Sequence, residues 1–148
     1  MKAYLHTNVV VRHLTQDPPA QGKAATAFLA AADDLVLVDL VLAELVYVLE
    51  SFYRMPRAKV AAMARSVIGF PAISTQDEGV LIRAVEVYER DRLDFAEAYL
   101  VARAEDSGIR AVASFDRSID RVQGITRIDP LGPGYSGPES PAPELVSD

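Results

Sequence analysis

The sequence contains neither cysteine nor tryptophan in its 148 residues. Without cysteine the protein has no disulfide bond and no thiolate metal site, which is typical of a reducing compartment. Long apolar runs are also missing, because Asp39 and Glu44 interrupt the longest one, residues 35–49, and no apolar signal core follows Met1. We therefore expect a cytoplasmic protein with no membrane-spanning segment.

Positive charge is scarce as well. The chain has 15 Lys and Arg residues against 21 Asp and Glu residues, a net charge of −6. This balance argues against a broad basic surface for nucleic acid. The excess of acidic residues is unevenly distributed, however, because residues 129–148 hold four acidic residues and no basic one. Residues 1–128 therefore have a net charge of only −2. Net charge alone therefore does not exclude a nucleic-acid substrate.

The C-terminal residues also differ from the rest in composition. Residues 129–148 contain five of the nine prolines and three of the eight glycines. This composition neither fills a core nor continues a β-ladder. We predict one domain over residues 1–130 and a Pro/Gly-rich acidic tail over residues 131–148. Two interpretations of the tail stay open, a flexible end or a segment that becomes ordered against a partner.

Short β-rich runs alternate with longer helical patterns along the domain. The predicted strands are Lys2–Leu5, Leu35–Val38, Ala72–Ser74, Ile109–Ser114 and Ile125–Ile128. The predicted helices cover residues 8–15, 20–32, 40–53, 57–68, 77–91 and 95–106. This alternation is typical of an α/β domain with a mostly parallel sheet. Because such sheets bind ligands outside the carboxyl ends of their strands, polar residues that follow a strand are the first candidates for a site.

Glu44 lies within an apolar stretch. On a helix its neighbours one turn away include Leu40, Val41 and Tyr47, so we expect its side chain to be at least partly buried. A buried carboxylate needs a proton, a cation or several hydrogen-bond donors. A salt bridge to one of the twelve arginines would satisfy Glu44, and so would a metal ion.

Asp94 and Glu97 lie three residues apart at the predicted start of a helix, with apolar residues around them. The spacing is that of a capping box, in which both side chains accept backbone N–H groups. Two carboxylates held at a half-buried helix start also repel each other unless a cation lies between them. The pair is therefore either a helix cap or part of a cation site.

Two further groups of polar residues follow predicted strands. Asp116, with Ser114 two residues before it, either caps a short helix predicted over Arg117–Val122 or belongs to a site. Ser114 is placed to orient a water molecule or a phosphate. The first strand is followed by His6, Thr7 and Asn8.

Carboxylates that converge from separate elements bind hard divalent cations such as Mg²⁺, and paired cations are a common means of phosphodiester hydrolysis. Such a site is acidic until the cations reverse its charge. Substrate phosphates then need only a few arginines, which bind phosphate through two donors at once. The arginines nearest in sequence to this site are Arg12, Arg54, Arg57, Arg103, Arg117 and Arg121, each either a phosphate contact or an ordinary surface residue.

Four blocks in this order resemble the PIN-domain ribonucleases, and most closely the bacterial VapC-type toxins. The blocks are Tyr4–Asn8, Leu42–Leu45, Leu93–Ala98 and Ala113–Asp116, within residues 1–130. The resemblance implies a three-layer α/β/α sandwich around a central, mostly parallel sheet. It also implies Mg²⁺- or Mn²⁺-dependent endonucleolytic cleavage of RNA, a cognate antitoxin that covers the site, and a homodimer or a larger toxin–antitoxin complex.

The resemblance also assigns roles by position. Glu44, Asp94 and Asp116 match three acidic metal-site positions, and Glu97 matches an accessory one, so these four are the expected catalytic residues. The matching supporting residues are Thr7, Asn8 and Ser114. Among the arginines, we expect Arg12, Arg117 and Arg121 to contact RNA.

His6 departs from the family pattern, because it stands where the family has the first acidic metal ligand. Replacing a carboxylate with imidazole removes a negative charge and an oxygen donor, which weakens Mg²⁺ binding more than Mn²⁺ binding. A protonated His6 would instead act as a counter-ion for the carboxylates. Asp and His codons differ by one base, so we hypothesise an inactivated copy of a toxin. The alternative is a natural member with an altered metal site.

Other functions stay open at this point. A PIN scaffold without catalysis, which binds RNA or an antitoxin, is favoured by His6 and disfavoured by the four retained carboxylates. A receiver-like flavodoxin fold is disfavoured, because it needs paired acids after the first strand and a late lysine. The apolar residues 45–53 either pack in the core or form a groove for a second copy or an antitoxin.

Overall fold

A computed structural model describes residues 1–132 of the chain. Five strands lie in these residues: β1 (Lys2–Tyr4), β2 (Asp34–Val36), β3 (Ile73–Ser74), β4 (Ala111–Ala113) and β5 (Thr126–Ile128). The helices are α1 (Thr7–Thr15), α2 (Pro19–Ala31), α3 (Asp39–Ser51), α4 (Arg57–Ile68), α5 (Glu78–Arg90) and α6 (Phe95–Ser107). A 3₁₀ helix covers Arg117–Arg121. The predicted tail lies outside the described residues from position 133 onward.

All the strand pairs in the described residues are parallel. The strands β1, β2 and β3 form one sheet in that order, in which Ala3 pairs with Leu35 and Leu35 pairs with Ile73. The strands β4 and β5 form a second pair, with Val112 opposite Arg127. This arrangement confirms the predicted α/β/α fold with parallel strands. The strand pairing differs from the single central sheet that was predicted, because within residues 1–132 the hydrogen bonds form one three-stranded sheet and one two-stranded sheet.

The core follows from the spacing of apolar residues along the helices. In α5, Val80, Leu81, Ala84, Val85 and Tyr88 recur at the spacing of one helix face and are buried. Burying such a side chain contributes about 1.5–3 kcal/mol, so faces of this kind hold the layers together. Within residues 1–132, no helix is long and apolar enough to cross a membrane.

The element boundaries agree with the prediction to within about two residues for every helix. The fourth strand is shorter than predicted, because Gly108 ends α6 with φ 77° and Arg110 also adopts a positive φ of 53°. Residues 109 and 110 therefore form a turn, and the extended backbone begins at Ala111. The chain then leaves β4 through Ser114 toward the 3₁₀ helix.

Candidate active site

His6 is the N-cap of α1. Its backbone is extended, and its Nδ1 accepts the backbone N–H of Asn8 at 3.2 Å. A ring nitrogen that accepts a hydrogen bond carries no proton, so the proton of the neutral ring lies on Nε2. While Nδ1 accepts this hydrogen bond, the protonated Nε2 of His6 has no free lone pair for a metal ion. The geometry supports a capping role and gives no support to the predicted role of His6 as a metal ligand.

Thr7 and Asn8, the other residues of this block, begin α1. Thr7 is buried, and its Oγ1 has no hydrogen-bond partner within residues 1–132. A buried hydroxyl without a partner costs about 1–3 kcal/mol, so a polar group at this position is a candidate for contact with a ligand. The Asn8 side chain is exposed at the same end of the helix. Both positions fit the supporting role expected for them.

Glu44 is exposed, so the prediction that its side chain is buried was wrong. The helix α3 buries Leu42, Leu45, Val46 and Leu49. Glu44 lies on the opposite face, where Leu40 is 77% exposed and Tyr47 is 67% exposed. The apolar neighbours are themselves open to solvent, which is why they do not bury the carboxylate. A salt bridge for Glu44 is also absent among the ion pairs formed within residues 1–132.

Asp94 and Glu97 do not form the predicted capping box. Asp94 occupies the N-cap position of α6, but its side chain makes no capping hydrogen bond. The Oε2 atom of Glu97 is buried and has no hydrogen-bond partner in the part of the chain that the structure describes. The helix cap, which was the alternative to a cation site for this pair, is therefore not formed by the side chain of Asp94. The buried Oε2 atom of Glu97 therefore needs a cation or a hydrogen-bond donor from outside the described residues, whereas Asp94 is exposed to solvent.

Asp116 and Ser114 form the local cap that the sequence allowed. The Oδ1 atom of Asp116 accepts the N–H of Ser118 at 2.9 Å, and Asp116 is the N-cap of the 3₁₀ helix. This backbone hydrogen bond holds the pKa of Asp116 below its ordinary value, so the carboxylate stays ionised. The Oγ of Ser114 accepts the N–H of Asp116 at 2.9 Å, which leaves the Ser114 hydroxyl proton free to be donated.

The three arginines predicted to contact RNA lie in different settings. Arg12 donates through Nε to Gln21 at 3.0 Å, and Arg117 is exposed at the start of the 3₁₀ helix. Arg121 instead donates to two backbone carbonyls in the turn before α6. Arg57, close to the site in sequence, likewise donates to backbone carbonyls. Two of the nearby arginines therefore bind the protein backbone in this structure.

The predicted ligands are not assembled into one metal site. Within residues 1–132, no group of three or more His, Asp and Glu side chains is arranged to hold a metal ion. Glu44 faces solvent, and His6 and Asp116 both cap helices. The oxygen donors of Glu44, Asp94, Glu97 and Asp116 fit a hard divalent cation by their chemistry, and the unpartnered Oε2 of Glu97 supports this fit. His6 does not fit.

A further acidic cluster escaped the sequence analysis. Arg103 of α6 donates to Asp39 at 2.9 Å and to Asp77 at 2.8 Å, and the Tyr99 hydroxyl donates to Asp39. Burial and the hydrogen bond to Asp39 raise the pKa of Tyr99. Asp39 and Asp77 follow β2 and β3, so the rule that directs attention to polar residues after strands would have found them.

The comparison with protein families agrees with this fold. The model of the PIN domain family matches residues 3–125, and the chain belongs to this family. PIN domains are typically metal-dependent nucleases that use divalent cations such as Mg²⁺. No individual curated protein matches the chain.

Proposed function

We propose that this chain is a metal-dependent endoribonuclease toxin of the VapC type, in a form that His6 inactivates or weakens. The observation that carries the proposal is the α6 carboxylate pair. The side chain of Asp94 makes no capping hydrogen bond at the start of α6, and Glu97 Oε2 is buried without a partner in residues 1–132. Within a PIN domain, a buried carboxylate oxygen without a partner, close in sequence to the exposed carboxylate of Asp94, supports cation binding at the start of α6.

The residues proposed to hold Mg²⁺ or Mn²⁺ are Glu44, Asp94, Glu97 and Asp116. When bound, the cation supplies Lewis-acid activation and charge neutralisation for hydrolysis of an RNA phosphodiester. Ser114 retains a hydroxyl proton to donate to a water or phosphate oxygen, and Asn8 and Thr7, at the start of α1, are proposed to support the site. Arg12 and Arg117, which form no ion pair among the described residues, are proposed to contact substrate phosphates.

His6 explains why this form is proposed to be inactive. Its Nδ1 is engaged by Asn8, and it lacks the negative charge of the carboxylate expected at this position. We therefore propose that the chain is an inactivated copy of an active enzyme. A natural member with an altered metal site is the alternative.

The test is RNA cleavage in Mg²⁺ or Mn²⁺ by the His6→Asp variant, with growth arrest on induction as a second measurement. His6→Asn is the matched control, because Asn retains the cap and has no charge. We expect cleavage and growth arrest from His6→Asp alone. Equal behaviour of His6→Asp and the unaltered chain would contradict the inactivation hypothesis. If Asp94→Asn and Glu44→Gln leave cleavage by the His6→Asp form unchanged, the proposed catalytic site is wrong.

A second candidate function is a binding module that uses the PIN scaffold without catalysis. The capping role of His6 favours this function, because it removes a ligand without disturbing the helix. Calorimetric titration with Mn²⁺ distinguishes the two candidates. If millimolar Mn²⁺ gives a heat of binding that Glu97→Gln abolishes, the nuclease is supported. If neither the unaltered chain nor the His6→Asp form gives a heat of binding, the binding module is supported.

We further propose that the chain acts with a cognate antitoxin and forms a homodimer. The interface that we propose for the second copy is the apolar groove between α3 and α6, which has a volume of about 470 Å³ and is lined by the exposed Leu40 and Leu100 beside Phe95. Sedimentation equilibrium tests this. We expect the unaltered chain to be a dimer, and we expect Leu40→Glu or Leu100→Glu alone to dissociate it. A monomeric unaltered chain contradicts the dimer, and a dimer unaffected by both changes places its interface elsewhere.

A further inference from the structure

The turn between α5 and α6 has an unusual backbone. The helix α5 ends at Arg90, α6 begins at Phe95, and Arg92 between them adopts a left-handed conformation with φ 58°. A residue with a side chain rarely adopts this conformation, so the surrounding contacts must hold it. The residue that leaves the turn is Asp94, the N-cap of α6. The contacts that hold the turn therefore also set the position of the Asp94 backbone, from which its carboxylate extends.

Arg57 of α4 holds this turn from one side. Its Nη1 donates to the carbonyl of Tyr88 at 2.8 Å and to the carbonyl of Leu93 at 2.7 Å. The guanidinium also lies 4.4 Å from the centre of the Tyr88 ring. The Tyr88 carbonyl belongs to the last turn of α5, where helix carbonyls lack intrahelical partners and favour a cation. The Leu93 carbonyl belongs to the peptide bond that joins Leu93 to Asp94, so Arg57 binds immediately before the carboxylate residue.

Arg121 holds the same turn from the other side. Its Nη1 donates to the carbonyl of Asp91 at 3.3 Å and to the carbonyl of Arg92 at 3.2 Å. Arg121 is the last residue of the 3₁₀ helix whose N-cap is Asp116. It therefore links the segment that carries Asp116 to the turn that leads into Asp94.

We propose that Arg57 and Arg121 are positioning residues, which fix Asp94 relative to Asp116 through the α5–α6 turn. The proposal rests on the proposed function, in which both carboxylates bind the cation. It changes the role expected for Arg121, because its guanidinium is engaged by carbonyls of the chain itself. An outer partner that orients a metal ligand typically contributes about 10–100-fold to metal affinity.

Arginine suits this role better than lysine. A guanidinium is planar, so it lies flat against an aromatic ring while its edge donates to two carbonyls. The lysine ammonium has no planar face and holds its donors less rigidly. Arg57→Lys therefore retains the positive charge and loses the contact with the Tyr88 ring. Arg121→Lys retains the charge on a side chain whose nitrogen ends one bond short of the Arg121 Nη1 that contacts the turn. Both changes separate positioning from simple electrostatic attraction of RNA.

The test compares Arg121→Ala, Arg121→Lys and Arg57→Lys in the His6→Asp form. Lys59→Ala is the matched control, because it removes one exposed positive charge from α4 away from the turn. The measurements are Mn²⁺ affinity by calorimetry, amide hydrogen exchange of residues 91–98, and the affinity for single-stranded RNA without metal. We expect about a 10-fold loss of Mn²⁺ affinity and faster exchange in all three variants, with both quantities unchanged in Lys59→Ala.

Two outcomes would overturn the proposal. Unchanged Mn²⁺ affinity and exchange, with weaker RNA binding in Arg121→Ala and no loss in Arg121→Lys, would show that Arg121 is an electrostatic RNA contact. Unchanged exchange in every variant would show that neither arginine holds the turn. If the His6→Asp form itself binds no Mn²⁺, the metal site of the proposed function is wrong, and the exchange data alone then decide whether the arginines hold the turn.

Discussion

Arg83 of α5 and Glu105 of α6 form an ion pair through two hydrogen bonds, with Nε 2.8 Å from Oε2 and Nη2 2.9 Å from Oε1. The hydrogen bond from Arg83 lowers the pKa of Glu105. The pair joins two helices that pack along much of their length and that carry the turn before Asp94. Its two-point geometry makes it one of the stronger surface interactions in the fold.

The Arg83–Glu105 pair predicts a pH-dependent contribution to stability. Because folding lowers the pKa of Glu105, its contribution is present above the ordinary pKa of 4.5 and is lost as the pH falls through the lower folded value. We expect Arg83→Gln to lose about 1 kcal/mol of unfolding free energy at neutral pH and progressively less below pH 4.5. Urea unfolding between pH 3 and 7 measures this. Arg90→Gln is the control, because Arg90 is 73% exposed in its pair with Glu86. A deficit that stays constant with pH would contradict the assignment to Glu105.

The N-cap role of His6 predicts a stability series that is independent of metal. His6→Asn and His6→Asp retain an acceptor for the Asn8 N–H, whereas His6→Ala loses it and should cost about 1 kcal/mol. Thermal unfolding in EDTA measures the series. If His6→Ala is as stable as His6→Asn, the hydrogen bond to Asn8 does not stabilise α1.

The buried Oε2 of Glu97 predicts that this residue, which we propose as a metal ligand, reduces the stability of the metal-free protein. Replacing Glu97 with Met removes an unsatisfied polar atom while keeping side-chain length. We expect Glu97→Met to gain about 1 kcal/mol in EDTA. Glu44→Met, at an exposed position, should change stability by no more than about 0.5 kcal/mol. Denaturant unfolding distinguishes them, and a destabilised Glu97→Met would show that the carboxylate has partners in the fold.

The space around Gly22 in α2 and Gly79 in α5 predicts opposite effects of alanine at these two glycines. A Cβ at Gly22 would lie 2.5 Å from the Cα of Gln16 and 2.9 Å from the carbonyl oxygen of Arg12. These are backbone atoms that cannot move aside easily, so Gly22→Ala should cost about 1–3 kcal/mol. Gly79→Ala meets no atom within 4 Å and should gain about 0.5 kcal/mol by favouring α5. Melting temperatures measure both, and a neutral Gly22→Ala would mean that α1 and α2 separate readily.

The sequence predicted the helices well because their apolar spacing is a local property. The burial of α5 follows from residues three and four apart, and Gly108 marks the end of α6. Burial of Glu44 was predicted from the same local rule and failed, because exposure depends on which face of α3 meets the rest of the fold. Apolar residues such as Leu40 and Tyr47 do not reveal from sequence alone that they lie on the outside.

The side-chain contacts at the candidate site could not be predicted from the sequence. The spacing of Asp94 and Glu97 allowed a capping box, and only the structure separates a cap from an unpartnered pair. The bonds from Arg57 and Arg121 to carbonyls of the α5–α6 turn join residues about 30 positions apart. Every residue carries a backbone carbonyl, so the sequence does not show which carbonyl will accept a hydrogen bond from an arginine.

The bridge that Arg103 makes between Asp39 and Asp77 divides the carboxylate-bearing edge of the fold into two electrostatic regions. After β2 and β3, each of these two carboxylates already has a guanidinium as its counter-ion. At the start of α6, Asp94 and Glu97 have no counter-ion among the described residues. A small cation that diffuses to this edge therefore competes with arginine in the first region and meets no competitor in the second.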